Sequence, residues 1–239
     1  MATTPTGAAL TETYRRSGLA LAAATTRDLL VLWAGFDLDD IDASWRRIII
    51  GLMPLIEQRH ALSSQAGAAY YTSFRAVEAA SGTPTLRLAA FDAERVRANL
   101  ELVGPIYTKK ALTSRRPNPV EAALVRVAGE TSRAVLDGGR QTVSQSVLSD
   151  PQALGWARAT DGDPCAFCAM LAGRGAVYSE RGGGFQAHSH CACAAEPVYS
   201  RTADRPGRGQ EFSQLWNEST SGLSGDEARI AFRRAYEGR

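Results

Sequence analysis

Apolar residues return at helical spacing through roughly the first 150 positions, and that periodicity predicts a mainly α chain. Leu10, Tyr14, Leu19, Ala22 and Leu29 to Leu32 mark a first helix that runs to a break at Gly35. Ahead of it, the Thr/Pro/Gly-rich stretch Met1 to Gly7 reads as a disordered or extended arm over residues 1–8. Asp39 and Asp40 suit a helix N-terminus, and Ile41, Trp45, Ile48, Ile49 and Leu52 give a second helix its buried stripe until Pro54 kinks or ends it. A third helix, about 55–80, carries Ile56, Leu62, Ala66, Ala69, Tyr70, Phe74 and Val77, and Ser81, Gly82 and Pro84 stop it. Leu86, Leu88 and Ala90 then alternate as in a short strand over 86–91.

Asp92 is placed to cap a fourth helix reaching about Ser114, with Val96, Leu100, Val103 and Ile106 inward and Pro105 as its kink. Asn118 at the N-cap, Pro119 at the first helical position and Glu121 in the first turn open a long fifth helix. Its stripe is Val120, Leu124, Val127, Thr131 and Ala134, and it extends toward Leu148 with Gly138 and Gly139 as a hinge or break. Asp150 and Pro151 mark a change of texture: a strand over 154–160, a Gly-rich stretch, and a second strand over 196–199. After a polar linker, Ser200 to Gln210, the pair Ser224 and Glu227 has the capping-box spacing and opens an amphipathic helix through Ala228, Ala231, Phe232 and Tyr236. That helix is suited to dock on this chain or on another protein. The expected organisation is therefore an arm (1–8), a helical domain (9–150), a small α+β module (151–200), and a linker with a C-terminal amphipathic helix (201–239).

With 44% hydrophobic and 22% charged residues over 239 positions, the composition is that of an ordinary globular chain. A net charge of +2 makes no overall demand for a nucleic-acid partner. No apolar run approaches the roughly 18 residues needed to span a bilayer, since Pro54 interrupts the longest, 48–56. No membrane association is expected. One local departure is the set Arg95, Arg97, Lys109, Lys110, Arg115 and Arg116, opposed between its ends by Glu101 alone. Such a run is either a solvated helix face or a contact for DNA phosphates or an acidic partner.

The chemistry concentrates in 161–193. All four cysteines, Cys165, Cys168, Cys191 and Cys193, lie there with His188 and His190, two of the three histidines. Zn²⁺ takes four borderline or soft ligands in a tetrahedron, and a C-x-x-C turn offers two thiolates with little strain. Asp161, Gly162, Asp163 and Pro164 are turn formers, so Cys165 leaves a tight loop and Cys168 lies in a short helix, 166–171. The remaining ligands come from 188–193: Cys165, Cys168, His188 and Cys191 form one set, and the four cysteines, with Cys193, another.

Two disulfides are a competing use of four cysteines, but disulfide frameworks usually staple small secreted domains. A catalytic Cys/His pair is another, yet a lone nucleophile needs no further cysteines beside it. The surplus of ligands, and a Gly-rich stretch whose apolar residues are chiefly Phe167, Leu171, Val177, Tyr178 and Phe185, favour a closed structural zinc site over a catalytic one. The run Arg181 to Phe185 is a weak match to a phosphate cradle, lacking the Lys-Ser/Thr and helix start that such loops use. His60 is remote in sequence and reads as a surface or capping histidine.

The order Trp156, Asp161 or Asp163, C-x-x-C, Gly-rich insert and H-x-x-C-x-C resembles the C-terminal domain of the phage Mu F-like head morphogenesis, or minor capsid, proteins. The family's His-Pro-x-Cys-Arg-Cys is here His188, Ser189, His190, Cys191, Ala192, Cys193, so its proline and arginine are absent while every presumed metal ligand is kept. The tail 216–237 is similar to the ends of short members. The resemblance covers about the last ninety residues and implies a minor capsid protein of the phage head, assembled in the host cytoplasm. Its implied partners are portal or major capsid subunits, with no small-molecule substrate. The other class is enzymatic: a capsid maturation protease, with His60 against Ser63, Ser64 or Ser73, or a zinc-dependent hydrolase or nuclease using a free His190.

Overall fold

A computed structural model describes residues 1–79, 81–175 and 185–238. The chain is mainly helical, as its periodicity predicts. The long helices are α1 (Pro5–Trp33), α2 (Ile41–Glu78) and α5 (Pro119–Leu148); α3 (Ala93–Glu101), a π turn (Leu102–Ile106) and α4 (Tyr107–Thr113) lie between the last two. A two-stranded antiparallel sheet follows, β1 (Gly155–Ala159) on β2 (Ala194–Val198), with Ala157 opposite Glu196. The short helix α6 (Ala166–Gly173) lies between the strands, and α7 (Gly209–Ser219) and α8 (Gly225–Glu237) complete the order.

Helix α2 pairs with α5 in the same direction, since His60 meets Ala134, Ser64 meets Thr142 and Tyr71 meets Asp150. At one end Leu29, Trp45, Ile48, Leu52, Ile56, Leu100, Val127 and Val135 form an apolar core. At the other, Tyr14, Tyr70, Tyr71, Phe74, Val143 and Val147 share one cluster with Trp156, Cys168, Phe185, Cys191, Cys193 and Ala195. The cysteines are therefore packed into the end of the helical bundle.

Several local expectations are corrected. Pro54 neither ends α2 nor splits it, because Ile50, whose carbonyl loses its partner, and Pro54 itself both face solvent. Pro105 is absorbed by widening one turn to a π turn, with Gly104 against the Trp45 ring. Residues 86–91 form no strand: the Arg87 and Ala89 amides donate to Ser146 Oγ and Thr142 Oγ1 of α5, while Leu86 and Leu88 face outward. The N-terminal arm is not disordered. Thr4 caps α1, Glu78 accepts from the amides and hydroxyls of Thr3 and Thr4, and the Met1 amine donates to the Pro197 carbonyl. The expected linker is irregular over 200–208, but α7 follows it unforeseen; its Phe212 and Leu215 pack on α6 with Phe232 of α8, so the last helix docks on its own chain. Ser224 holds the N-cap position of α8 without a side-chain cap bond, whereas Asp92 caps α3 as expected by accepting from the Arg95 amide at 3.0 Å. Asn118 likewise precedes α5 in a left-handed conformation, φ 48°, with no side-chain cap bond.

Gly138 and Gly139 are not a hinge; α5 continues through them because they are where the long helices touch. A Cβ on Gly138 would lie 2.2 Å from the His60 carbonyl oxygen, and one on Gly139 2.8 Å from that of Ser63. Gly138→Ala should therefore destabilise the fold. The helix-propensity gain is about 1 kcal/mol, but separating two packed backbones costs about 1–3 kcal/mol or more. A lowered urea midpoint is expected; a raised one would show that the helices are not in contact there.

The bundle is latched to the module by Asp150, just after α5. Its Oδ2 accepts from Tyr71 Oη (2.8 Å), Arg75 Nε (2.8 Å) and Tyr199 Oη (3.0 Å). Burial raises the pKa of this carboxyl, but the Arg75 guanidinium and the other donors prevail and hold it below its ordinary 3.8. A depressed folded pKa means stability that is fully present above the ordinary value and lost as pH falls below it. In Asp150→Asn, denaturant midpoints measured across pH 5 to 2 should lose part of the wild-type acid fall; an unchanged slope would remove Asp150 from the latch.

Candidate metal centre

Three segments bring the cysteines together. The turn after β1 ends at Cys165, which is the N-cap of α6, its Sγ accepting from the Cys168 amide at 3.5 Å. That single turn puts Cys168 beside it, buried, while Cys165 stays exposed. From the other side, the Cys191 amide donates to the His188 carbonyl at 3.2 Å, closing a turn in which His190 takes a left-handed φ of 63°. The chain then runs extended through Cys193 into β2.

His188 Nε2 lies 3.0 Å from Cys165 Sγ and 3.4 Å from Cys168 Sγ, and Cys168 Sγ lies 3.6 Å from Cys191 Sγ. Two groups result, Cys165/Cys168/His188 and Cys168/Cys191/Cys193, each with its ligand atoms within 4.8 Å of one another. Cys168 belongs to both. All four cysteines are free, and 3.6 Å is far beyond the roughly 2.05 Å of a disulfide. It is close to the spacing that a tetrahedral metal site would need, since metal–sulfur arms of about 2.3 Å set sulfurs about 3.8 Å apart. The His188 ring is oriented for the same purpose. Its Nδ1 lies 2.6 Å from the Ser189 carbonyl, which can only accept, so the proton is on Nδ1 and the Nε2 lone pair faces the sulfurs. The cluster can hold a metal ion.

The surroundings are cationic, which the sequence did not signal. Arg158, in the middle of β1, is 1% exposed; it reaches Cys191 Sγ at 3.8 Å, donates to the Gln186 carbonyl at 2.6 Å, and lies over the Phe185 ring at 4.1 Å. Arg140, 2% exposed on α5, donates to the carbonyls of Cys193 (2.8 Å) and Cys191. Hydrogen bonds from the Cys168 and Cys193 thiols, with the Arg140 charge, lower the Cys191 pKa against the opposing effect of burial. The same hydrogen bonds push the Cys168 thiol up, so the negative charge is accommodated on Cys191 in particular. An arginine inside a five-residue strand of mostly small residues, and another after a glycine pair, carry no motif; only the folded arrangement aims both at the cysteines.

The other singled-out residues lie elsewhere. His190 is in neither group, and its ring sits against Gly129 of α5. His60 is buried at the α2–α5 contact with Nδ1 2.9 Å from the Ala134 carbonyl, so it is neither a surface nor a capping residue. Ser63 and Ser64 are engaged with the Gly139 amide and Thr142 rather than with His60. Of the 95–116 basic residues, all exposed, Arg95 pairs with Asp92 and Lys109 with Asp42. Gly182 to Gly184, Val177 and Tyr178 fall outside the described residues. Among the described residues, no helix is long and apolar enough to cross a membrane.

Comparison with known proteins agrees with a phage relationship. The chain is 31% identical to the Gene 15 protein of Mycobacterium phage D29 over 143 residues, 57% of this chain and 49% of that protein, so the match spans about half the relative's length. No solved structure matches. The profile of the VG15 protein family matches residues 6–219, nearly the whole described fold from α1 through α7, and the chain belongs to that family.

Proposed function

We propose that this chain is a minor capsid, or head morphogenesis, protein of a tailed phage that acts by interaction rather than catalysis. In this reading a structural Zn²⁺ is held by Cys165, Cys168, His188 and Cys191, with Cys193 beside it. The observation that carries it is the close approach of these donors, His188 Nε2 at 3.0 and 3.4 Å from the Cys165 and Cys168 sulfurs and Cys168 Sγ at 3.6 Å from that of Cys191, inside a cluster shared with the helical bundle. Family membership and the phage relative support the setting. The resemblance of the H-x-x-C-x-C segment to Mu F-like proteins supports the finer assignment to head assembly, with portal or major capsid subunits as partners.

The charge balance favours this ligand set. Among the described residues Arg158 has no carboxylate partner, and Arg140 is offset by Asp137 at 3.5 Å. One buried positive charge therefore remains, and a divalent ion with three thiolates and a neutral imidazole carries one negative charge; four thiolates would carry two. Zinc fits because its d¹⁰ shell accepts a mixed sulfur and nitrogen tetrahedron without geometric strain. The metal would supply rigidity: it would fix the C-x-x-C turn to the 188–193 segment and so hold β1, α6 and β2 on the end of α5. The experiment is proteomics of purified phage particles. Detection at a constant copy number in particles, or in isolated proheads, is expected; presence only in the soluble lysate would contradict the assignment.

A further inference from the structure

The structure holds a second constellation, away from the cysteines, that neither the metal nor the family assignment uses. A cavity of about 390 Å³ lies where the end of α6, the end of β2 and the start of α7 converge. Met1, Leu154, Val198 and Ala203 contribute apolar lining; Arg174, Arg201 and Arg205 line it as well, opposed among the described residues by Asp204 alone, which leaves two net positive charges on the described lining. Arg205 is held in place. Gly175 and Gly209 clear room for its side chain, since a Cβ on either would lie 3.1 Å from Arg205 Nε or 2.7 Å from its Cβ. Its Nη1 donates to Gln210 Oε1 at 2.7 Å. Its Nε is buried and meets no acceptor among the described residues, and neither Arg174 nor Arg201 forms an ion pair or hydrogen bond among them.

Buried donors without acceptors are costly, and guanidinium groups are matched most strongly by planar or tetrahedral oxyanions. The cavity is also next to the first turn of α7, eleven residues long, whose dipole favours negative charge. Three arginines are more charge than one carboxylate needs, and a phosphate presents enough oxygens to meet several donors. We propose that this cavity, built on Arg174, Arg201 and Arg205, is a binding site for a phosphate group. This does not rest on the metal assignment.

The test is isothermal titration of the full purified chain with inorganic phosphate at fixed ionic strength, chloride serving as the balancing anion. A second arm uses a short DNA duplex, and a third a tetra-aspartate peptide. Saturable phosphate binding is expected, weakened about tenfold by Arg205→Gln for the loss of one charge-assisted contact. Because Arg205 is partly buried, the exposed Arg174→Gln and Arg201→Gln serve as variants that keep the fold, and they should weaken binding as well. DNA binding that falls in the same variants would make the backbone phosphate the source; phosphate binding without it would make the source a small phosphate ester. No phosphate binding, equal binding by all variants, or stronger binding of the peptide would overturn the proposal. Metal content measured on the same samples separates this outcome from a failure of the metal site.

Discussion

Cys168→Ser should remove the bound metal and loosen residues 155–198 as a unit, and it is the most damaging substitution expected anywhere in the chain. Cys168 is the one donor common to both groups of ligand atoms, so its loss cannot be made good by Cys193 in the way that the loss of Cys191 can. A structural zinc site supplies on the order of 10 kcal/mol of folding free energy, against a whole-domain stability of about 5–15 kcal/mol. The segment has little to set against that loss. Among its described residues the apolar contribution is chiefly Trp156, Met170, Leu171, Phe185 and Val198, each worth roughly 1.5–3 kcal/mol on burial, and ordering its backbone costs about 1–2 kcal/mol per residue. Cys168, Cys191 and Cys193 also pack in one cluster with Tyr71, Phe74 and Val147, so the damage should reach the end of the bundle. Limited proteolysis should cut first within 155–198, leaving a helical fragment. A serine variant with unchanged protease resistance and an unchanged melting curve would show that the cysteines do not hold the fold.

Arg158→Met is the second large effect. The methionine fills much the same space, so the change is mainly one of charge, and an anionic centre would be left without its buried counter-ion. Removing one partner of a buried charge pair costs about 3–5 kcal/mol, and altering outer-shell partners lowers metal affinity about 10–100-fold. Competition with a chromophoric chelator should show that loss, and Arg158→Lys should recover part of it by restoring charge without the fork. In chelator-treated protein the effect should vanish, because the 155–198 segment is then already loosened and no anionic metal centre is left for Arg158 to offset. Equal destabilisation with and without metal would mean that Arg158 only packs.

What could be read in the sequence follows from the range of each interaction. Helix periodicity, the Asp92 cap, the sheet strands and the C-x-x-C turn into α6 are set within a few residues, so they were legible. The donors were legible too, because ligand chemistry restricts residue type and the spacing 165–168 is a local constraint. The misses depend on partners far along the chain. Whether Pro54 breaks α2 depends on which way Ile50 faces, and whether Gly138 is a hinge depends on His60, more than seventy positions earlier. The apolar alternation at Leu86 and Leu88 suggested a strand, yet the amides that decide the matter are met by hydroxyls of α5. The arm at Met1 to Thr4 looked disordered by composition but is held by Glu78 and β2. Arg140 and Arg158 are invisible as site residues for the same reason.

The central claim is that a metal-bound Cys/His cluster is part of the fold, and native mass spectrometry of the purified full chain tests it most directly. The account predicts a mass higher than that of the polypeptide by one zinc ion, retained at neutral pH, with the apo mass appearing only together with the broadened, highly charged states of a partly unfolded chain. A compact chain at the apo mass, with no change in charge-state distribution when zinc is added or chelated, would contradict it.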